Sequence, residues 1–149
     1  MIHIEPSPDF SDIELAEQAA QATLAHQRVG GDVDLSIVLA DDKKLRELNR
    51  DYLGLDAPTD VLSFPASESD PETGARYLGD ILISIPRAAE QARAAGHDLA
   101  SEVQLLVIHG VLHLLGHDHA EAEEKARMWA AQAEILQGLG LGHVKVREE

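Results

Sequence analysis

Hydrophobic and polar residues alternate in four short stretches of the chain, and this period of two predicts four β-strands. The stretches read IHIE, DVDLSIVLA, TDVLSFP and YLGDILISI. The clearest of them places four apolar side chains on one face of a strand, at Val33, Leu35, Ile37 and Leu39. Within the fourth stretch, Gly79 predicts a β-bulge or a close backbone approach.

Helical periodicity predicts five helices, two between the strands and three after them. Two of the helix beginnings carry the pattern of a capping box, Ser11 with Glu14 and Ser101 with Gln104. Because strands and helices are interleaved first and helices alone follow, we expect an α+β fold with a small mixed sheet of about four strands. The length favours one domain over residues 1–149.

Composition limits both the chemistry and the partners of this protein. The chain has no cysteine, so a zinc site must use histidine, aspartate or glutamate. The net charge of −15 argues against non-specific attraction to nucleic acid or to an anionic membrane. The start, MIHIEPSPDF, lacks the features of a secretory signal, and the longest apolar run is too short to span a bilayer. We therefore expect a cytoplasmic protein that does not bind membranes.

Four of the eight histidines lie in one stretch of eleven residues, HGVLHLLGHDH. His109 and His113 are one helical turn apart, so both imidazoles can reach the same metal ion. Gly116 predicts that the helix ends in a left-handed turn, after which His119 returns as the third ligand. Three protein ligands leave a fourth position for water, as in catalytic zinc sites.

Three other interpretations of this stretch stay open at the level of sequence. If the helix continued past Gly116, His117 would be the third ligand and His119 a bystander. A closed, structural site would need a fourth protein ligand, from His117 or a carboxylate. The histidines would otherwise be core residues with satisfied hydrogen bonds.

The same spacing occurs in zinc proteases, which place a glutamate directly after the first histidine as general base. Here that position is Gly110, which weakens the prediction of peptide hydrolysis. Hydroxide remains accessible, because zinc by itself lowers the pKa of a bound water molecule. Asp118 is a candidate catalytic residue that would position this water, or it caps the last helix together with Glu121.

The stretch HGVLHLLGHDH resembles the H-G-x-L-H-L-x-G-Y-D-H signature of the YbeY family of bacterial endoribonucleases. PTDVLSFP and LGDILIS are similar to two further blocks of that family, in the same order. The resemblance implies a zincin-like fold with a metal-binding helix near the C-terminus and one Zn²⁺ per chain, held by His109, His113 and His119. It also implies cleavage of single-stranded RNA in ribosomal RNA maturation and ribosome quality control, with the small ribosomal subunit as partner.

The chain departs from the family pattern at two positions, His117 in place of tyrosine and Leu53 in place of an arginine. Arg46 and Arg50, one turn apart on a predicted helix, are candidates to contact RNA phosphates instead.

Two alternatives differ in class from a nuclease. One is a metal-dependent hydrolase of another substrate, similar to a metalloprotease, and the other is a non-catalytic ribosome-assembly factor with structural zinc. The oligomeric state is open.

Overall fold

Four strands and five helices form the described part of the chain, which comprises residues 1–57, 59–66, 68–117 and 121–144 of a computed structural model. In chain order these elements are β1 (Ile2–Glu5), α1 (Ile13–His26), β2 (Val33–Ala40), α2 (Asp42–Leu53), β3 (Val61–Pro65), β4 (Arg76–Ser84), α3 (Ile85–Ala95), α4 (Leu99–Leu114) and α5 (Ala122–Gly138). Every strand and helix predicted from periodicity is present, although several ends differ.

The strands form one mixed sheet in the order β1-β2-β4-β3. β1, β2 and β4 are parallel, whereas β3 pairs antiparallel with β4 and is an edge strand. The parallel pairs are connected by crossovers, and α1 forms the crossover from β1 to β2. The predicted α+β fold with a small mixed sheet is therefore confirmed.

The predicted irregularity at Gly79 is a β-bulge. Asp34 pairs with Tyr77 and the next residue, Leu35, pairs with Gly79, so Leu78 is an extra residue in β4. Gly79 has φ +140°, which favours glycine, and a Cβ there would collide with the carbonyl oxygen of Phe64. The close backbone approach is confirmed together with the bulge.

The two faces of the sheet are covered by different helices. Ile81 and Ile83 of β4 face the main hydrophobic core, which includes buried residues of α1, α4 and α5. Leu82, between them, faces the other side, where it packs with Leu62 of β3 and Leu45 of α2. The sheet therefore separates α2 from α4. Twelve of the sixteen residues of α4 are buried, so it is the central helix of the core.

Two predicted capping boxes are wrong, because an aspartate takes the N-cap position in each case. The first helix begins after Asp12, whose side chain makes no capping hydrogen bond. α4 begins after Asp98, whose carboxylate accepts a hydrogen bond from the backbone N–H of Ser101 at 2.9 Å. Hydrogen bonding by Ser101 lowers the pKa of Asp98.

None of the described helices combines the length and the hydropathy needed to cross a bilayer.

Candidate metal centre

His109 and His113 project from the same side of α4, as their spacing predicted. Their Nε2 atoms lie 3.1 Å apart, and the two half-buried rings meet edge to face. A tetrahedral zinc ion with ordinary Zn–N bonds holds two such nitrogens about 3.3 Å apart. The two imidazoles therefore converge at a separation that suits two ligands of one zinc ion.

Gln132 fixes the orientation of the first imidazole. Its side chain is fully buried on α5, and its Oε1 lies 2.8 Å from Nδ1 of His109. Because an amide oxygen only accepts hydrogen bonds, Nδ1 of His109 carries the proton and Nε2 keeps its lone pair. Zinc-binding histidines are commonly oriented through their second ring nitrogen in this way.

Gly110 occupies the position of the protease glutamate, and the structure gives a packing reason for the absence of a side chain. A Cβ at this position would lie 2.8 Å from Cγ2 of Ile81 and 3.1 Å from its Cδ1. Ile81 is itself fully buried in β4 and has little freedom to move. The glycine thus allows α4 to lie directly on the sheet.

The turn after α4 forms as Gly116 predicted. The helix ends at Leu114, Gly116 has φ +97°, and the backbone N–H of His117 donates to the carbonyl of Leu112 at 3.0 Å. His117 therefore leaves the helical stripe. Burial lowers the pKa of His117, and the charge of Arg127 lowers it further.

The third predicted ligand, His119, and the candidate catalytic residue Asp118 lie outside the described residues. Within the described ranges, no three histidine or carboxylate side chains are placed to hold a metal ion. The choice of His119 over His117 therefore stays a prediction. The alternative role of Asp118 as a helix cap lies outside the described residues as well; within them, α5 begins at Ala122 with Glu121 as its N-cap.

Arg46 and Arg50 are exposed on α2, each in an ion pair with a neighbouring aspartate. Nε of Arg46 is 2.8 Å from Asp56, and Nε of Arg50 is 3.1 Å from Asp51. Since α2 and α4 cover opposite faces of the sheet, the structure does not place these arginines on the same face as the histidine pair.

Two glutamines that contact site histidines were not identified from the sequence. Gln132 carries a weak signal, because it is a polar residue in the buried stripe of α5 between Met128 and Leu136. Gln27 contacts His117 at 2.6 Å across 90 residues of sequence, and no local pattern marks it.

The chain is similar in sequence and in fold to known proteins over most of its length. The family model described as "Endoribonuclease YbeY" matches residues 5–140. A protein named endoribonuclease YbeY from Moorella thermoacetica is 48% identical over 81% of this chain and 82% of its own length. One of that name from a Roseiflexus species is 44% identical over 93% and 90%. A solution structure from Thermotoga maritima, 28% identical, matches 94% of this chain and 92% of its own with a TM-score of 0.61.

Proposed function

This chain belongs to the endoribonuclease YbeY family, and we propose that it is a zinc-dependent endoribonuclease specific for single-stranded RNA. The matches to the family model and to the named relatives confirm the resemblance seen in the sequence, for the family and for the class of enzyme. In this proposal residues 1–149 form one metal-dependent hydrolase domain, which acts in the cytoplasm in ribosomal RNA maturation and ribosome quality control. Its partners are ribosomal RNA and the small ribosomal subunit.

The convergence of two Nε2 atoms at 3.1 Å is the observation that carries the zinc proposal. His109, His113 and His119 would hold one Zn²⁺ per chain. When bound, zinc supplies a Lewis acid for activating water and polarising a phosphodiester. Gln132 supports this use of His109, because it fixes the tautomer whose Nε2 lone pair is directed away from α5.

Asp118 is the proposed group that orients the attacking water or accepts its proton. A carboxylate adjacent in sequence to a zinc ligand has the hydrogen-bonding capacity for either role. The metalloprotease alternative is weakened further by the packing of Gly110, where a glutamate has no room.

Arg50 is the proposed replacement for the arginine that the family has at Leu53. The two residues are three positions apart on α2, so they lie on the same side of the helix. Arg46 lies one turn earlier on this side. Tyr52, two residues after Arg50, projects from a different side of α2; it is 70% exposed, and its ring meets Phe64 of β3 edge to face. Exposed rings provide stacking surfaces for unpaired bases. An RNA strand that contacts Arg46, Arg50 and the histidines would cross the edge strand β3.

The arginine proposal predicts a change in the salt dependence of RNA binding. Charge reversal in Arg46→Glu or Arg50→Glu should weaken binding and reduce the slope of log K against log salt by about 0.7 for each phosphate that the variant no longer neutralises. Fluorescence anisotropy with a single-stranded oligoribonucleotide would measure both quantities. Arg76→Glu, at the beginning of β4, makes the same charge change as a control. An unchanged slope in the α2 variants would remove these arginines from the RNA-binding site.

Removal and return of the metal test the proposed activity itself. The purified protein should cleave a labelled single-stranded RNA, lose this activity after treatment with a zinc chelator, and recover it when zinc is added. A duplex of the same sequence should be cleaved far more slowly. Cleavage that survives complete chelation would contradict zinc dependence. Bound zinc without cleavage of RNA would instead favour the non-catalytic assembly factor.

A further inference from the structure

A chain of hydrogen bonds connects α5 and the C-terminal end of α1 to the turn after α4. Oε2 of Glu134 is 2.6 Å from Nε2 of His26, and Nδ1 of His26 is 2.9 Å from Nε2 of Gln27. Oε1 of Gln27 is in turn 2.6 Å from Nε2 of His117. Two side chains, those of Gln27 and His26, therefore link His117 to a carboxylate on another helix.

The direction of every bond in this chain follows from the orientation of the Gln27 amide. Its nitrogen can only donate, so Nδ1 of His26 accepts from it, and Nε2 of His26 carries the proton that it donates to Glu134. Its oxygen can only accept, and it is directed at Nε2 of His117. His117 therefore donates from Nε2, and one tautomer of its ring is selected.

We propose that Gln27 is a positioning residue that fixes the beginning of the segment leading to the third zinc ligand. His117 is held twice, by its side chain through Gln27 and by its backbone N–H through the carbonyl of Leu112. Only one residue separates it from His119 in the sequence. Fixing His117 reduces the conformational freedom that the chain loses when His119 binds the metal. This inference rests on the proposed zinc site.

α5 supports both ends of the histidine stretch by this arrangement. Gln132, on its buried side, holds His109 directly. Glu134, two residues later and more exposed, acts on His117 through His26 and Gln27. A displacement of α5 relative to α4 would therefore disturb the first ligand and the segment before the third ligand together.

Zinc affinity in Gln27 variants tests the proposal, measured by competition with a chromophoric chelator. Gln27→Met keeps the side-chain length without the amide. Its zinc dissociation constant should rise by up to about 10-fold, the lower end of the effect of removing a group bonded directly to a ligand, because Gln27 acts through His117. Gln27→Glu keeps an oxygen that accepts from His117, so its affinity should stay close to that of the wild type. Gln21→Met, on the helix that Gln27 terminates, is the matched control, since among the described residues its amide contacts Glu17, at 3.4 Å, and no histidine.

Nitrogen NMR of the His117 ring in the zinc-free protein gives a second measurement that does not depend on activity. The wild type should show a proton on Nε2, and Gln27→Met should show a mixture of tautomers. Zinc binding by Gln27→Met as tight as that of the wild type would overturn the inference alone. A wild-type protein that fails to bind zinc would overturn the proposed function as well as this inference.

Discussion

We expect the His113→Ala variant to lose zinc binding and RNA cleavage together while keeping its fold. The imidazole of His113 provides one of two nitrogens that converge at 3.1 Å, and no other described side chain is placed to replace it. Loss of a direct ligand should exceed the effect of an outer partner, so zinc affinity should fall by more than about 100-fold. Cleavage should fall at least as far.

Zinc content, chelator competition and cleavage of single-stranded RNA would be measured on the same preparation. Far-UV circular dichroism would show that the helices are retained. His3→Ala on β1 is a suitable control, because it removes an exposed histidine from the edge of the sheet. If His113→Ala cleaved RNA as fast as the wild type, the activity would belong to a contaminating nuclease. If it retained stoichiometric zinc, the metal would lie elsewhere.

The Gly110→Glu variant, which restores the residue of the zinc proteases, should be strongly destabilised rather than become a protease. Its Cβ would lie 2.8 Å from the fully buried Ile81, and its carboxylate would enter an apolar part of the core. Overpacking and the burial of a charge together should lower the free energy of unfolding by at least about 3 kcal/mol.

Urea unfolding followed by the fluorescence of Trp129, the single tryptophan, would measure this loss. Gly138→Glu at the end of α5 is the control, because a Cβ there has no atom within 4 Å. Its stability should change by less than about 0.5 kcal/mol. Combining Gly110→Ala with Ile81→Ala, which removes the atoms in the way, should cost less than the sum of the two single changes. A Gly110→Glu protein as stable as the control would contradict this packing argument.

The sequence predicted the elements well because their periodicity is local. Alternation at Leu35, Ile37 and Leu39 indicated β2, and Gly116 indicated the end of α4. Helix beginnings were harder, since Asp98 and Ser101 both suit an N-cap and only the folded chain selects between them. The mixed sheet was expected from the interleaving of strands and helices, and the structure confirms it. No local pattern, however, determines which helix covers which face of the sheet.

In the candidate site, too, local spacing was predictable from the sequence and contacts between distant segments were not. The spacing of His109 and His113 determines that they share one side of a helix, and the structure agrees. Gln27 and Gln132 could not be found in this way, because they reach their histidines across 90 and 23 residues. Arg46 and Arg50 were correctly expected on one helix, yet the packing of α2 on the other face of the sheet depends on tertiary structure.

The bulge at Gly79 has a consequence for how the candidate site can change. A Cβ on Gly79 would lie 2.8 Å from Leu114, which directly follows His113, just as one on Gly110 would meet Ile81. Helix α4 and strand β4 thus meet at two places where only hydrogen atoms fit. The distance of the two histidines from the sheet thus depends on the absence of a Cβ at Gly79 and at Gly110. A Cβ at either position should move α4, and with it both imidazoles together. Because the two imidazoles then keep their separation, metal affinity should be altered more readily through Gln27 and Gln132 than through the contact of α4 with β4.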